Sequence, residues 1–498
     1  MRTSFTVLLI SLCVGCGEQP KFVHRAEFED LAPYAQDYVN QVLQSHFGEP
    51  TDMVVWDRLP LKEHTATATV VIDNIPSDEK VKEEEEAAGT PRTSITGPVS
   101  VRQLELDLNS QNLDIGEGTE LLWLDGPLEG FPSSWVTDWD AETQTVRLET
   151  PLHDLPFNGD QVVLGPGEVL VQGRLLYAEH CQHCHGVTGD GNGPTAPYLN
   201  PKPRDYRLGV FKFTTTKREN RAAREDLSKV IEDGVPGTYM PSFKLLTQEE
   251  MTSIVEYVLW LSMRGELEYQ LISLISDEGY SVEAIRERVA DGESYQSIRD
   301  EFIERVNDPD EFNYEVDTIV SRIANDWEAS QSEDALIHPI SPRVPYTPES
   351  IARGRELYLN ESLKCAQCHG EAGYGNGSQI YAVAKMKNGD DYPVPGLHDD
   401  WGNLVKPRNL HNGTYRGGRR PIDLYSRIYA GIKGTPMPPF ATLVRRSDPE
   451  DPSSPLTDED IWDLVNYIYS IPLDGYLPGQ DPGASAPESE GVAVHSFE

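Results

Sequence analysis

The strongest constraint in this chain is that one part of it repeats another. Gly173-Arg174-Leu175-Leu176-Tyr177 precedes Cys181-Gln182-His183-Cys184-His185-Gly186. Gly354-Arg355-Glu356-Leu357-Tyr358 precedes Cys365-Ala366-Gln367-Cys368-His369-Gly370. Both copies run into glycine-rich loops, at 189–193 and 373–377, then into Lys202-Pro203-Arg204-Asp205 and Lys406-Pro407-Arg408-Asn409. Gly237-Thr238-Tyr239-Met240-Pro241 and Gly434-Thr435-Pro436-Met437-Pro438 follow. Each copy closes on an amphipathic helical pattern, over 247–263 with Ile254, Tyr257, Val258 and Leu261, and over 457–471 with Ile461, Leu464, Val465 and Ile468. Such a chain folds as two similar units, not around one large core. Composition agrees: 38% hydrophobic residues in 498, with 37 Pro and 40 Gly, suit small cores joined by long loops.

Cys-x-x-Cys-His is the attachment pattern of haem c. Two thiols on one helical turn reach the two vinyl groups as thioethers, and the following His falls under the iron as proximal ligand. Cys181, Cys184 and His185 form one such set, and Cys365, Cys368 and His369 the other. A thioredoxin-like pair would sit beside a βαβ pattern, and none is evident. A zinc site would need cysteines far apart in sequence and would ignore both histidines. Met240 follows His185 by 55 residues and Met437 follows His369 by 68, each beside prolines that stiffen its loop. A soft, neutral thioether as second axial ligand raises the potential of the iron. Met251 and Met263 fit core packing in the closing helix, and Met386, in an insertion, is the rival to Met437.

On these motifs each copy resembles a class I cytochrome c domain, a small helical fold around one haem. The resemblance covers less than half of the 498 residues. It implies two covalently bound haem c groups and a mainly α fold. Two class I cytochrome c domains would lie in tandem, with a mixed α/β accessory region before them and a helical acidic insertion between them. It implies that Gly173 and Gly354 let the closing helices cross closely, beside Tyr257 and Tyr467. It places the carbonyls of Pro203 and Pro407 as acceptors for the proximal histidines. Arg204 and Arg408 would pair with haem propionates, with a plain surface arginine as the alternative. The second copy departs by an insertion between Gly377 and Lys406, containing Trp401, which could cover a haem edge, bind a partner or only lengthen a surface loop.

The expected organisation is a signal peptide at 1–16, an accessory region at 17–165, the first domain at 166–265, an acidic helical linker at 266–345, the second domain at 346–473 and a disordered tail at 474–498. In the accessory region, 24–47 has helical spacing (Phe28, Leu31, Tyr34, Tyr38, Val42, Leu43), 77–99 reads as an acidic loop, and 100–165 alternates like strands. The linker carries Ile285, Val289, Ile298, Phe302, Ile303 and Val306 at helical spacing and could clamp the two haem domains as a hairpin. The N-terminus, with Arg2 and an apolar stretch at 5–14, reads as an export signal. Its end resembles a bacterial lipoprotein signal with Cys16 as the lipidated residue, although Cys13 stands where that pattern usually has Leu. No apolar run approaches the length of a membrane-spanning helix.

The net charge of −40 excludes a basic footprint for nucleic acid. That charge is uneven: the segments 168–264 and 349–472 carry 0 and −2, while 1–167, 265–348 and 473–498 carry −19, −14 and −5. The sequence therefore reads as an exported, lipid-anchored dihaem electron carrier on the periplasmic side of a bacterial membrane. Its partners would be redox proteins: a respiratory complex, an oxidase or a soluble cytochrome. His/Met ligation of both irons leaves no open position, so the chain is read as a carrier or complex subunit more than an enzyme by itself. The alternatives are a dihaem cytochrome c peroxidase and the cytochrome subunit of a periplasmic dehydrogenase.

Overall fold

The computed structural model describes residues 20–54, 61, 66–71, 102–107, 115, 119–123, 126–128, 134–152, 154–164, 167–386, 388–444 and 456–473. The expected signal with Cys16, the acidic loop at 77–99 and the tail at 474–498 lie outside them.

Each repeat forms a unit of crossed helices. In the first, α2 (Gly167–His180) crosses the long α5 (Gln248–Ile275), with the single-turn α3 (Gln182–His185) and α4 (Arg224–Asp233) between them. In the second, α9 (Pro348–Leu359) crosses α12 (Asp458–Ser470), with α10 (Cys365–His369) and α11 (Pro421–Ala430) between. Glycine is required at both crossings. A Cβ at 173 would lie 2.0 Å from the Ser253 carbonyl oxygen, and one at 354 would lie 2.0 Å from that of Asp463. Tyr177 meets Tyr257, and Tyr358 meets Tyr467, with ring centroids 5.2 Å apart in both pairs. The closing helices start alike: Thr247 accepts from the Glu250 N–H and Thr457 from the Asp460 N–H, each in a capping box.

α5 does not stop where the first domain was expected to end. It runs on through Leu267, Leu271 and Ile275, all buried, into the linker. The linker then forms α6 (Val282–Ala290), α7 (Tyr295–Asn307) and α8 (Phe312–Ala329). These helices do not form a hairpin between the haem domains. They close around α1 (Pro33–Phe47): Phe302 packs on Tyr34 and Tyr38, Phe312 on Tyr38, and α8 lies along α5. The first domain, α1 and the linker thus share one core, and the second domain has its own, joined from the linker side by Ile337. Ile285, Ile298 and Phe302 are buried as the spacing predicts, while Val289 and Ile303 of the same pattern are exposed.

The rest of the accessory region is a closed antiparallel barrel of β1 (Ala66–Val71), β2 (Gln103–Asp107), β3 (Glu120–Trp123), β4 (Ser134–Asp140), β5 (Thr145–Leu148) and β6 (Gln161–Leu164), in the order β1-β2-β5-β4-β3-β6. Val70, Leu106, Leu121, Val146 and Val162 fill its interior, a third and separate core.

Candidate functional site

The two cysteine–histidine turns are built by the same bonds. In the first, the His185 N–H bonds to the Cys181 carbonyl and the helix ends at Gly186, in the left-handed region at φ 76°. In the second, the end lies at Gly370, φ 79°. The hydroxyl of Tyr177 donates to the Gly186 carbonyl at 2.8 Å, and that of Tyr358 to Gly370 at 2.6 Å. These two tyrosines tie α2 and α9 to the ends of the turns. The signal for them was their shared offset from the helix glycines, although neither was singled out as a site residue. In the first domain Tyr206 adds to this by donating to the Tyr177 hydroxyl, with its ring 5.5 Å from that of His185; Leu410 takes its place in the second.

Each of these two histidines is held by a backbone carbonyl. The His185 Nδ1 lies 3.2 Å from the Arg204 oxygen, and the His369 Nδ1 lies 3.3 Å from the Arg408 oxygen. A carbonyl only accepts, so Nδ1 carries the proton and Nε2 keeps its lone pair for a metal. The acceptors are therefore the arginine carbonyls and not, as expected, those of Pro203 and Pro407, one residue earlier. The proline carbonyls instead lie against the glycine loops, where a Cβ at Gly191 or Gly375 would come within 2.7 and 2.6 Å of them. Burial lowers the pKa of both histidines and so favours the neutral imidazole that a metal ligand needs. Burial also pushes Cys181 and Cys365 up to about 12, the reverse of a reactive dithiol and in keeping with thiols consumed as thioethers. Among the described residues no three His, Cys, Asp or Glu side chains converge on one metal position.

Met240 and Met437 sit in loops that match bond for bond. The Met240 N–H donates to Thr238 Oγ1 at 3.1 Å, and Val235 N–H donates back to the Met240 carbonyl. The Met437 N–H donates to Thr435 Oγ1 at 3.3 Å, and Ile432 N–H donates back to the Met437 carbonyl. Both side chains are half-buried. Met386 lies in a separate turn of the insertion, closed by its own N–H on the Asp390 carbonyl, with no counterpart in the first domain.

The two arginines lie at the seam between the domains. The Arg204 guanidinium stacks 3.9 Å from the ring centre of Trp401, in the second domain's insertion, and lies beside Gly434 of the second Met loop. In the mirror arrangement Arg408 lies beside Gly237 of the first Met loop, and Arg416 donates to the Gly237 carbonyl at 3.1 Å. Each arginine is thus set against the other domain's methionine loop. Lys433 crosses the same seam to Thr216 Oγ1 at 2.9 Å and the Asn220 carbonyl at 2.5 Å, and Lys229 pairs with Asp423 at 2.6 Å. Burial draws Arg204 down to about 10, against the raising influence of Asp399. Its two terminal nitrogens are out of solvent and have no hydrogen-bond partner. Buried cationic donors left open beside a haem-attachment motif are what a haem carboxylate would complete, and so the residues present fit haem c.

The cytochrome c family model matches two separate stretches, 170–262 and 351–472. No curated protein matches the chain. Among solved structures, a chain of a reducing HAO-like protein complex from Kuenenia stuttgartiensis aligns at 24% identity and a TM-score of 0.39, over 61% of this chain and 97% of that one. The two family matches fall on the two helical units with the same helix crossings and methionine loops, and the chain carries two cytochrome c domains in tandem.

Proposed function

We propose that this chain is a dihaem electron-transfer protein, in which electrons enter at one domain, cross the seam and leave from the other to a redox protein partner. The observation that carries this reading is the reciprocal seam: Arg204 beside the second Met loop, and Arg408 beside the first. Two sites whose cofactor-facing arginines are exchanged across one boundary face each other. Ion pairs and a buried lysine hold that boundary, so no domain motion is needed to bring them together. When bound, haem c supplies a one-electron ferric–ferrous couple. Cys181 and Cys184 or Cys365 and Cys368 would anchor each group, His185 and Met240 or His369 and Met437 would ligate it, and Arg204 and Arg408 would neutralise its carboxylates. Equivalent methionine loops in both halves favour a carrier over a peroxidase, which needs an open iron position. Export and a lipid anchor on Cys16 complete the proposal, on the strength of the N-terminal sequence pattern.

Haem staining with intact-mass measurement tests it: two covalent haems are expected, and Cys181→Ala and Cys365→Ala should each weaken or abolish one attachment. A protein with one haem, or with zinc, overturns the reading. Labelling with a lipid precursor should mark the protein and be lost in Cys16→Ser.

A further inference from the structure

The insertion in the second domain ends in a hairpin, β7 (Leu397–His398) paired with β8 (Leu404–Val405), and Trp401 stands at its tip. The tip is built firmly. Asp399 is buried, and its carboxylate accepts from the Trp401 and Asn403 N–H groups at 3.2 and 2.9 Å. Asp400 N–H donates to the Gly434 carbonyl at 3.2 Å, which fastens the tip to the second Met loop. The Cζ3–Cη2 edge of the indole covers Gly434, its face covers the Arg204 guanidinium, and the Nε1 edge turns away from Gly434.

That indole Nε1 is buried and has no hydrogen-bond partner, like the two terminal nitrogens of Arg204 beneath it. Three buried donor atoms without an acceptor, two of them cationic, describe a site for a carboxylate. The neighbouring carboxylates of the chain do not supply it. Asp205 is engaged bidentately by Arg207 at 3.1 and 2.8 Å, Asp399 holds the hairpin tip, and Asp400 is exposed. Among the described residues no side chain serves as the acceptor, and a carboxylate of a bound group would. Arg204 also supplies the carbonyl that holds His185, so its backbone stands beside the first domain's histidine while its side chain reaches the seam. The second domain has no equivalent: Arg408 spends its Nε on the Thr414 carbonyl at 2.9 Å, and its terminal nitrogens face Gly237 of the first domain, with no ring stacked on it.

We infer that Trp401, contributed by the second domain, completes with Arg204 a carboxylate site for a propionate of the first domain's haem, and so tunes that haem across the domain boundary. The inference rests on the two-haem reading above. Trp401 is a positioning residue: its ring excludes water from Arg204, and its N–H bonds the propionate. Loss of that donor leaves the negative charge less compensated, which favours ferric iron and lowers the potential of the first haem alone. It also makes the propionate easier to protonate, so the pH dependence of that potential moves upward.

The test is a potentiometric titration of the full-length dihaem protein across a pH series, with the two waves assigned by Met240→His and Met437→His. Trp401→Phe keeps the stacked ring and deletes only the donor. It should lower the first domain's wave and move its pH inflection up, with the second wave and the ferric sulfur-to-iron band unchanged. Trp401→Ala should lower the same wave further. Two attached haems with both waves unshifted in Trp401→Phe, or a shift confined to the second wave, overturn the role of Trp401 alone. A protein without two attached haems overturns the two-haem reading, and this inference with it.

Discussion

Met240 and Met437 are singled out by what surrounds them, since each closes the same threonine-braced loop while Met386 does not. Replacing either with Ala should convert one haem to a re-ligated or high-spin form, remove about half of the sulfur-to-iron band and lower that potential. Full retention of the band in Met437→Ala would move the assignment to Met386. The glycines of the helix crossings allow a second prediction. A methyl at 173 or 354 meets a backbone carbonyl at 2.0 Å, and backbone cannot swing aside as a side chain can. Gly173→Ala and Gly354→Ala should each destabilise the holoprotein by about 2–3 kcal/mol in thermal or denaturant unfolding, through strain between close-packed helices. Much of this was legible because it recurs: cysteines, histidines, methionines and helix glycines stand at matching places in both copies. The histidine acceptor was misplaced by one residue, from Arg204 to Pro203, because motif spacing sets which segment comes near and not which of its carbonyls turns inward. The unpaired Trp401 N–H had no counterpart in the first copy, and its cross-domain position cannot be read from chain distance.

Among the elements, α5 departs most from its sequence reading. Its apolar pattern in the haem domain continues as a second buried stripe past Met263, and the continuation binds the linker helices. Glu266, on this second half, is buried against them: it accepts from the Trp327 indole at 2.7 Å and pairs with Arg221. Burial pushes its carboxyl up to about 7, with Arg221 and Trp327 pulling the other way. Between pH 4.5, its ordinary value, and about 7, the folded chain therefore holds more protons at this position than the unfolded chain. The contribution of Glu266 to stability is complete at the acid end of that window and falls as pH rises through it, by a few kcal/mol at most. Unfolding midpoints across pH 4.5–7.5 should show that slope, and Glu266→Gln should flatten it. An unchanged slope in Glu266→Gln would place the titration elsewhere. The docking of α6–α8 on α1 could not be foreseen, because periodicity shows that a helix has an apolar face and is silent on which partner covers it. The strand Ala66–Val71 is faint in the sequence for a different reason: its barrel-facing positions Ala68 and Val70 alternate with Thr67 and Thr69, too weak an apolar signal to mark a strand.

At the scale of the whole molecule the charge map takes on a direction. The chain carries −40, and the linker segment with −14 is packed on the first haem domain, not spread between the two. Its helix α6 shows Glu283 and Glu287 to solvent, followed by exposed Asp291. The second domain carries −2 and receives no such layer. A basic redox partner approaching the molecule is therefore drawn towards the first domain's side before any contact forms, and screening by salt weakens that attraction over a Debye length of about 8–10 Å. Electron transfer to a basic soluble cytochrome should accordingly slow steeply as ionic strength rises. Charge neutralisation on the linker, as in Glu283→Gln with Glu287→Gln and Asp291→Asn, should reduce the rate at low salt and make the salt dependence shallower. At high salt, where the field is already screened, wild type and variant should converge. An obligate subunit contact would behave otherwise, since an apolar interface is indifferent to salt and to distant carboxylates. A flat or rising salt profile in the wild-type protein would therefore replace steering by a permanent complex. Equal slopes in wild type and variant would move the steering charge away from the linker, to another acidic segment of the chain.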